Sequence, residues 1–292
     1  MKKQSVGRWL TLTLAVVSLV SAASGQQKYR LRDRYAAGDT SSVDSSEDMS
    51  LIVSVKANSE ELTQFILAKR ERDVYVEQTV ATDSAGPSVL RRTYSVARGV
   101  DTNPMTGQEH QRTFSLQGKT IVIRRDGDVV KITADKGKVA PEDRRQLLEA
   151  LDHTDMDLMP DHDVAPGDEW TVDPRFATSS LEGVRKADIK CRFLEVVQRA
   201  GRQCAHLQVN IDLDSQPENS PGSITMKLSG DLYQPLDLKR SLGVELSGPV
   251  TLTGREARDG VTYFFSGEGS MRIKETRRWL KVNGKAVTAT RA

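Results

Sequence analysis

Residues 187–213 read ADIKCRFLEVVQRAGRQCAHLQVNIDL, and this stretch decides the fold class. Ile189, Cys191 and Phe193 alternate with Lys190 and Arg192. Further on, Ala205, Leu207, Val209, Ile211 and Leu213 alternate with His206, Gln208, Asn210 and Asp212. A period of two sends apolar side chains to one face of an extended chain and polar ones to the other. Arg199-Ala200-Gly201-Arg202 supplies the turn between the two runs, so the stretch predicts an antiparallel hairpin. Cys191 falls on its apolar face and Cys204 on its polar face. Their levels differ by about six residues, roughly 20 Å along a strand. A disulfide needs Cα atoms within about 7 Å, so the two thiols are expected to remain free.

The same alternation extends in both directions. Tyr29, Leu31 and Tyr35 suggest an opening strand that ends at Gly38-Asp39, and the Ser/Asp-rich Thr40–Asp48 reads as a loop. Strands are expected at 49–55, 88–97, 111–116, 120–125 and 129–133, with turns at Gln117-Gly118 and Asp126-Gly127. Residues 58–73 fit two patterns: Asn58 and Glu61 have capping-box spacing ahead of Leu62, Phe65 and Ile66, yet a strand running on into Val74-Tyr75-Val76 fits equally. One helix is predicted. Pro141 sits at a first-turn position, Glu142 and Asp143 suit the positive end of the dipole, and Leu147, Leu148 and Leu151 form an apolar stripe. Strands resume at 170–172, 187–197, 204–213, 223–232, 242–246, 250–253, 261–265 and 270–273, punctuated by Pro221-Gly222, Gly248-Pro249 and Asp259-Gly260. The expected class is mainly β: antiparallel curved sheet or sheets, or a meander, with one amphipathic helix between two β-rich halves. The organisation is a leader over 1–25, an N-terminal β-rich region over 26–140, a helix and acidic connector over 141–159, and a C-terminal antiparallel region over 160–292.

The leader is read from Lys2, Lys3 and Arg8, the uncharged run Leu10 to Val20, and the small residues Ser21-Ala22-Ala23-Ser24-Gly25. Basic start, short apolar centre and small side chains before a cut are the order of a secretory signal peptide. A spanning helix needs about 20 apolar residues, more than this run or any later one supplies. The expected location is therefore periplasmic or extracellular, with no transmembrane segment after cleavage. The formal charge of +2 arises in the leader: three of the 42 basic residues and none of the 40 acidic ones lie there, which leaves 39 against 40. Such a balance gives no overall attraction to nucleic acid.

Chemistry-bearing residues are densest between Pro141 and Asp173, where eleven acids accompany His153 and His162. His153, Asp155, Asp157, Asp161, His162 and Asp163 are the candidate metal ligands, carboxylates suiting calcium and imidazoles zinc or manganese. Their spacing matches no established metal loop, and a solvated acidic connector has the same composition. No nucleophile elbow, zinc-protease, phosphate-loop or dinucleotide motif occurs, so no catalytic residue and no cofactor are assigned. Seven Lys or Arg residues against Glu275 alone mark 271–292, where Arg272, Lys274 and Arg278 read as the solvated face of a last strand.

Leu158-Met159-Pro160, then Val164, then Pro166-Gly167-Asp168-Glu169-Trp170 make the pattern L-x-P…V-x-x-G-D-x-W. Pro-Gly-Asp turns the chain, and Trp170 enters the next strand as a core anchor. The pattern resembles a family of uncharacterised exported bacterial cell-envelope proteins, a domain of unknown function. Tyr29-x-Leu31-Arg32 and the Gly201-x-x-Cys204-Ala205-x-Leu207 hairpin fit it too. The resemblance implies an envelope setting and transfers no activity. Three readings follow. The first is a non-catalytic exported protein holding a lipid, another apolar ligand or an envelope component, by analogy with lipoprotein carriers, with Leu147, Leu148 and Leu151 on the covered face. The second is an exported metal-dependent hydrolase built on the His153/His162 acidic segment. The third is a structural envelope protein that binds other proteins by exposed strand edges.

Overall fold

A computed structural model describes residues 27–31, 35–57, 60–84, 86–103, 106–127, 129–141, 143–144, 147–148, 158–173, 183–216, 220–238 and 241–287. The predicted hairpin is present, with one strand at Val184–Arg199 and the next at Arg202–Ser215. Ala200 and Gly201 join them at φ of 49° and 74°, the two left-handed residues that a tight hairpin of matching twist requires. Cys191 pairs with Val209 and Cys204 with Val197. The cysteines therefore stand six levels apart, and both are free.

In chain order the strands are β1 (Thr40–Ala57), β2 (Glu60–Asp83), β3 (Gly86–Thr102), β4 (Glu109–Thr113), β5 (Thr120–Asp126), β6 (Val129–Ala134) and β7 (Glu169–Thr171). The hairpin supplies β8 and β9, followed by β10 (Gly222–Pro235), β11 (Gly243–Arg258), β12 (Val261–Val282) and β13 (Lys285–Ala286). They form one open antiparallel sheet in the order β6-β5-β3-β2-β1-β12-β11-β10-β9-β8-β7, with β4 added to β3 and β13 to β12. The two β-rich halves are thus one sheet, and the seam between them is β1 against β12, paired from Thr40↔Lys281 to Ala57↔Tyr263. Among the described residues no helix is long and apolar enough to cross a membrane.

Several elements differ from the sequence expectation. Thr40–Asp48 is not a loop but the first half of β1, held between β2 and β12. Its inward positions are Ser41, Val43, Ser45 and Glu47, of which Ser41 bonds Arg277 across the ladder, while Ser42, Asp44, Ser46 and Asp48 lie on the polar face. Among the described residues Tyr29 makes an isolated bridge to Val164, and no opening strand forms. Residues 60–73 are strand, and the capping-box spacing carries no helix. The expected strand at 111–116 is β4, which stops at Thr113. The pairs expected at 242–253 and 261–273 are single strands, β11 and β12. Pro249 lies opposite Ser270 within the ladder; the one bond that its missing N–H forfeits is small beside the pairing on either side. Gly260 turns the chain as expected, but Gly248, which also reads as a break, is a point of close approach within β11, as is Gly269 within β12. A Cβ on Gly269 would overlap the Ser50 carbonyl oxygen, and one on Gly248 that of Lys227. Side-chain-free positions of this kind let long strands coil tightly.

Three apolar clusters lie on one face of the sheet. Ile189, Cys191, Phe193, Leu207, Val209 and Leu232 pack with Leu31 and Val164 at the β8–β10 end. Leu51, Val53 and Val250 pack at mid-sheet. Val43, Tyr75, Leu90, Tyr94, Ile121 and Ile123 pack with Leu147 at the β3–β5 end. Pro141, Asp143, Arg144, Leu147 and Leu148 are helical, as expected. Leu151 lies outside the described residues.

A buried ionic group ties the seam. Arg277 on β12 donates through Nη1 to Ser41 Oγ at 2.9 Å and to Glu77 Oε1 at 3.1 Å, and through Nη2 to Glu275 Oε1 at 3.0 Å. Arg92 on β3 donates to Glu77 Oε2 at 2.8 Å and lies 4.8 Å above the Tyr75 ring. Glu77 and Arg277 are 2% and 4% exposed. The basic run from 271 is thus divided by the pleat: Arg272, Lys274 and Arg278 face solvent as expected, while Arg277 and Trp279 point inward.

Candidate functional site

The predicted metal ligands do not converge in the described part of the chain. Asp161, His162 and Asp163 lie on an exposed bend. His162 Nδ1 is 2.9 Å from Asp161 Oδ1, a contact that holds the Asp161 carboxyl below its ordinary range. Asp163 pairs with Arg30 at 3.4 Å. His153, Asp155 and Asp157 lie outside the described residues. Among the described residues no three His, Cys, Asp or Glu side chains are grouped closely enough to hold a metal ion.

The cysteines offer no activated nucleophile. Cys191 is buried, and desolvation pushes its thiol up to about 12. Cys204 was expected on a polar, solvated face and is instead fully buried. Its Sγ lies 3.9 and 3.7 Å from the Arg199 and Arg202 carbonyl oxygens, in a hairpin end flanked by the Arg202–Asp237 ion pair. Burial raises this thiol as well, and raised thiols carry little thiolate at neutral pH.

The L-x-P…V-x-x-G-D-x-W segment forms a structural clip. Gly167, at a φ of 98°, donates its N–H to the Phe193 carbonyl, and Phe193 donates to the Asp168 carbonyl at 2.9 Å. The Asp168 carboxylate accepts the Ala165 N–H at 2.8 Å, and the Trp170 Nε1–H reaches the Leu158 carbonyl at 2.8 Å. Trp170 packs against the adjoining core, the anchoring role expected of it. Under the helix, Leu147 is wholly buried among Val43, Tyr75, Leu90 and Tyr94, and Leu148 packs against the same cluster.

The sheet itself supplies the best-formed interaction feature. Strand β2 pairs with β1 from Glu60 onward but with β3 only from Lys69 onward. Among the described residues, the nine from Glu60 to Ala68 are therefore paired on one side only. Leu62 and Ile66 on this edge are 54% and 53% exposed; Ile52, opposite Ile66, is 53% exposed, and Phe264 is 47% exposed. Phe65 and Leu67 point to the other face and are partly covered by the mid-sheet cluster. A long strand edge with apolar side chains on both faces presents free N–H and C=O groups to any strand that can add to it.

Where β3 begins to cover β2, the polar face opens into a groove of about 750 Å³. Arg70, Arg72, Arg98 and Arg112 line it with Asp48, Glu71 and Glu109. Arg70 pairs with Glu109, and Arg112 with Glu71 at 2.8 Å. Arg72 holds Asp44 by two bonds of 3.0 and 2.8 Å, which lowers the Asp44 pKa. Arg98 stands opposite Arg72 and forms no ion pair among the described residues. The edge was missed as a site because 58–73 fitted both helix and strand. Edge position follows from strand order, which local sequence does not encode. No protein-family model and no curated protein sequence matched the chain.

Proposed function

We propose that this is an exported, non-catalytic envelope protein that binds other proteins by strand addition along the free edge of β2. The observation that carries the reading is the one-sided pairing of Glu60–Ala68. Natural sheets normally shield such an edge with charge, proline, a bulge or a covering element; here Glu60, Glu61 and the bulge at Leu62 guard only its start, and Thr63–Ala68 carries Phe65, Ile66 and Leu67 with no charge. Export is supported by the leader pattern of residues 1–25, and an envelope setting by the resemblance of the L-x-P…V-x-x-G-D-x-W segment. Strand addition needs no reaction centre; backbone bonds supply affinity and alternate side chains supply selectivity.

A photocrosslinking residue at Gln64, introduced into the exported protein in intact cells, should yield protein adducts. The same residue at Asn210, on the polar face of β9, should yield none. Adding Ile66→Lys should abolish the Gln64 adducts, because a charge on an edge opposes further pairing. Equal adducts at both positions, or adducts indifferent to Ile66→Lys, would rule out the edge as the binding site.

A further inference from the structure

Resting on that reading, we infer that the partner which fits the β2 edge is a second copy of this chain, paired antiparallel about a two-fold axis at Gln64. The edge and the residues after it run Glu60-Glu61-Leu62-Thr63-Gln64-Phe65-Ile66-Leu67-Ala68-Lys69-Arg70. Two acids open the segment and two bases close it. Asp101 of β3 already occupies the place opposite Lys69, so an added strand has room only along Glu60–Ala68. A two-fold register centred on Gln64 uses all of that room. It sets Leu62 against Ile66 of the second copy, twice, and so gives the two most exposed apolar side chains of the edge a cross-strand partner. Thr63 meets Phe65, and Gln64 meets Gln64.

The charges select the same alignment. In this register the acidic start of each copy runs beside the basic end of the other: the bulge at Leu62 puts Glu60 on the face that carries Lys69, and Glu61 on the face that carries Arg70. Diagonal neighbours are about 7–8 Å apart, within reach of long side chains. A parallel alignment would set acids against acids and bases against bases. The incoming Glu61 also lies on the face of the arginine-lined groove, to which Arg70 belongs. Because the same patch serves both copies, the contact closes on itself and leaves neither edge open for further growth.

Sedimentation of the purified protein tests this. The parent chain should form a dimer. E60R/E61K alone and K69E/R70E alone each place like charges together and should raise the dimer dissociation constant about tenfold or more. An equimolar mixture of the two variants should recover the dimer, since each then faces its complement. Far-ultraviolet circular dichroism confirms that the variants remain folded; if either does not, Ile66→Lys puts the same question by removing the Leu62 contact and should be monomeric. The proposal fails if the parent chain is a monomer throughout the micromolar range, if the single-sided variants dimerise as the parent does, or if folded variants do not recover a dimer on mixing. A monomer that still gives Gln64 adducts with a different protein would overturn self-pairing and leave the edge reading standing. Loss of those adducts would remove the edge reading itself.

Discussion

Glu77→Ala is expected to destabilise the protein by about 3–5 kcal/mol, the cost of leaving a buried charge without its partner. Glu77 joins two guanidiniums from different strands, Arg92 of β3 and Arg277 of β12. Its removal leaves Arg277, 4% exposed, with Ser41 and Glu275, and strips Arg92 of its carboxylate. The favourable contribution of the intact group is a separate quantity, because desolvation offsets most of the attraction between buried charges. The triple change Glu77→Leu, Arg92→Met and Arg277→Met should therefore lie far closer to the parent than Glu77→Ala does. Urea unfolding with a common m-value measures both. A Glu77→Ala protein within about 1 kcal/mol of the parent would show that these side chains are solvated and that the seam does not depend on them.

Phe193→Ala should cost a similar amount, about 3–5 kcal/mol, for the opposite reason. No charge is stranded; a large side chain is lost from a fully buried position at the other end of the sheet. Phe193 meets the Tyr29 ring edge-on at 5.8 Å, and its backbone is bonded to Gly167 and Asp168 in the clip. The alanine protein should therefore also loosen the Tyr29–Val164 bridge, so that proteolysis cuts the residues around Tyr29 sooner than in the parent. A loss below about 1 kcal/mol, with unchanged proteolysis, would mean that the clip and the cluster do not share this residue.

The strands whose two faces differ in polarity were legible in the sequence. Ile189, Cys191 and Phe193 alternate cleanly because one face of β8 is core and the other solvent, and the Ala200-Gly201 turn shows its geometry in its composition. Thr40–Asp48 was illegible for a physical reason: its inward positions, Ser41, Val43, Ser45 and Glu47, include one apolar residue, so alternation has nothing to display. Their partners, Arg277 among them, come from β12, more than two hundred residues away. One signal for the buried charge was present. Arg277 is in phase with Met271, Ile273 and Trp279 along β12, and a base on the inward side of a strand requires an acid across the sheet. Cys204 was assigned the solvated face of β9; what closes that hairpin end lies in another part of the chain, at Asp237, beyond the reach of a local pattern. The free edge of β2 was out of reach for a related reason. Which strand ends where β3 ceases to cover it is a property of topology, and β2 is apolar on both faces there, so period two is lost.

The most direct measurement is amide hydrogen exchange across β1 and β2 in the native protein. With Thr40–Asp48 the first half of a strand held on both sides, its amides should exchange as slowly as those of Ile189–Phe193. Along Glu60–Ala68 in the monomeric Ile66→Lys protein, slow amides facing β1 should alternate with fast ones facing solvent. Fast exchange throughout Thr40–Asp48 would restore the loop and open that half of the seam, and uniformly fast exchange along Glu60–Ala68 would remove the edge on which partner binding depends.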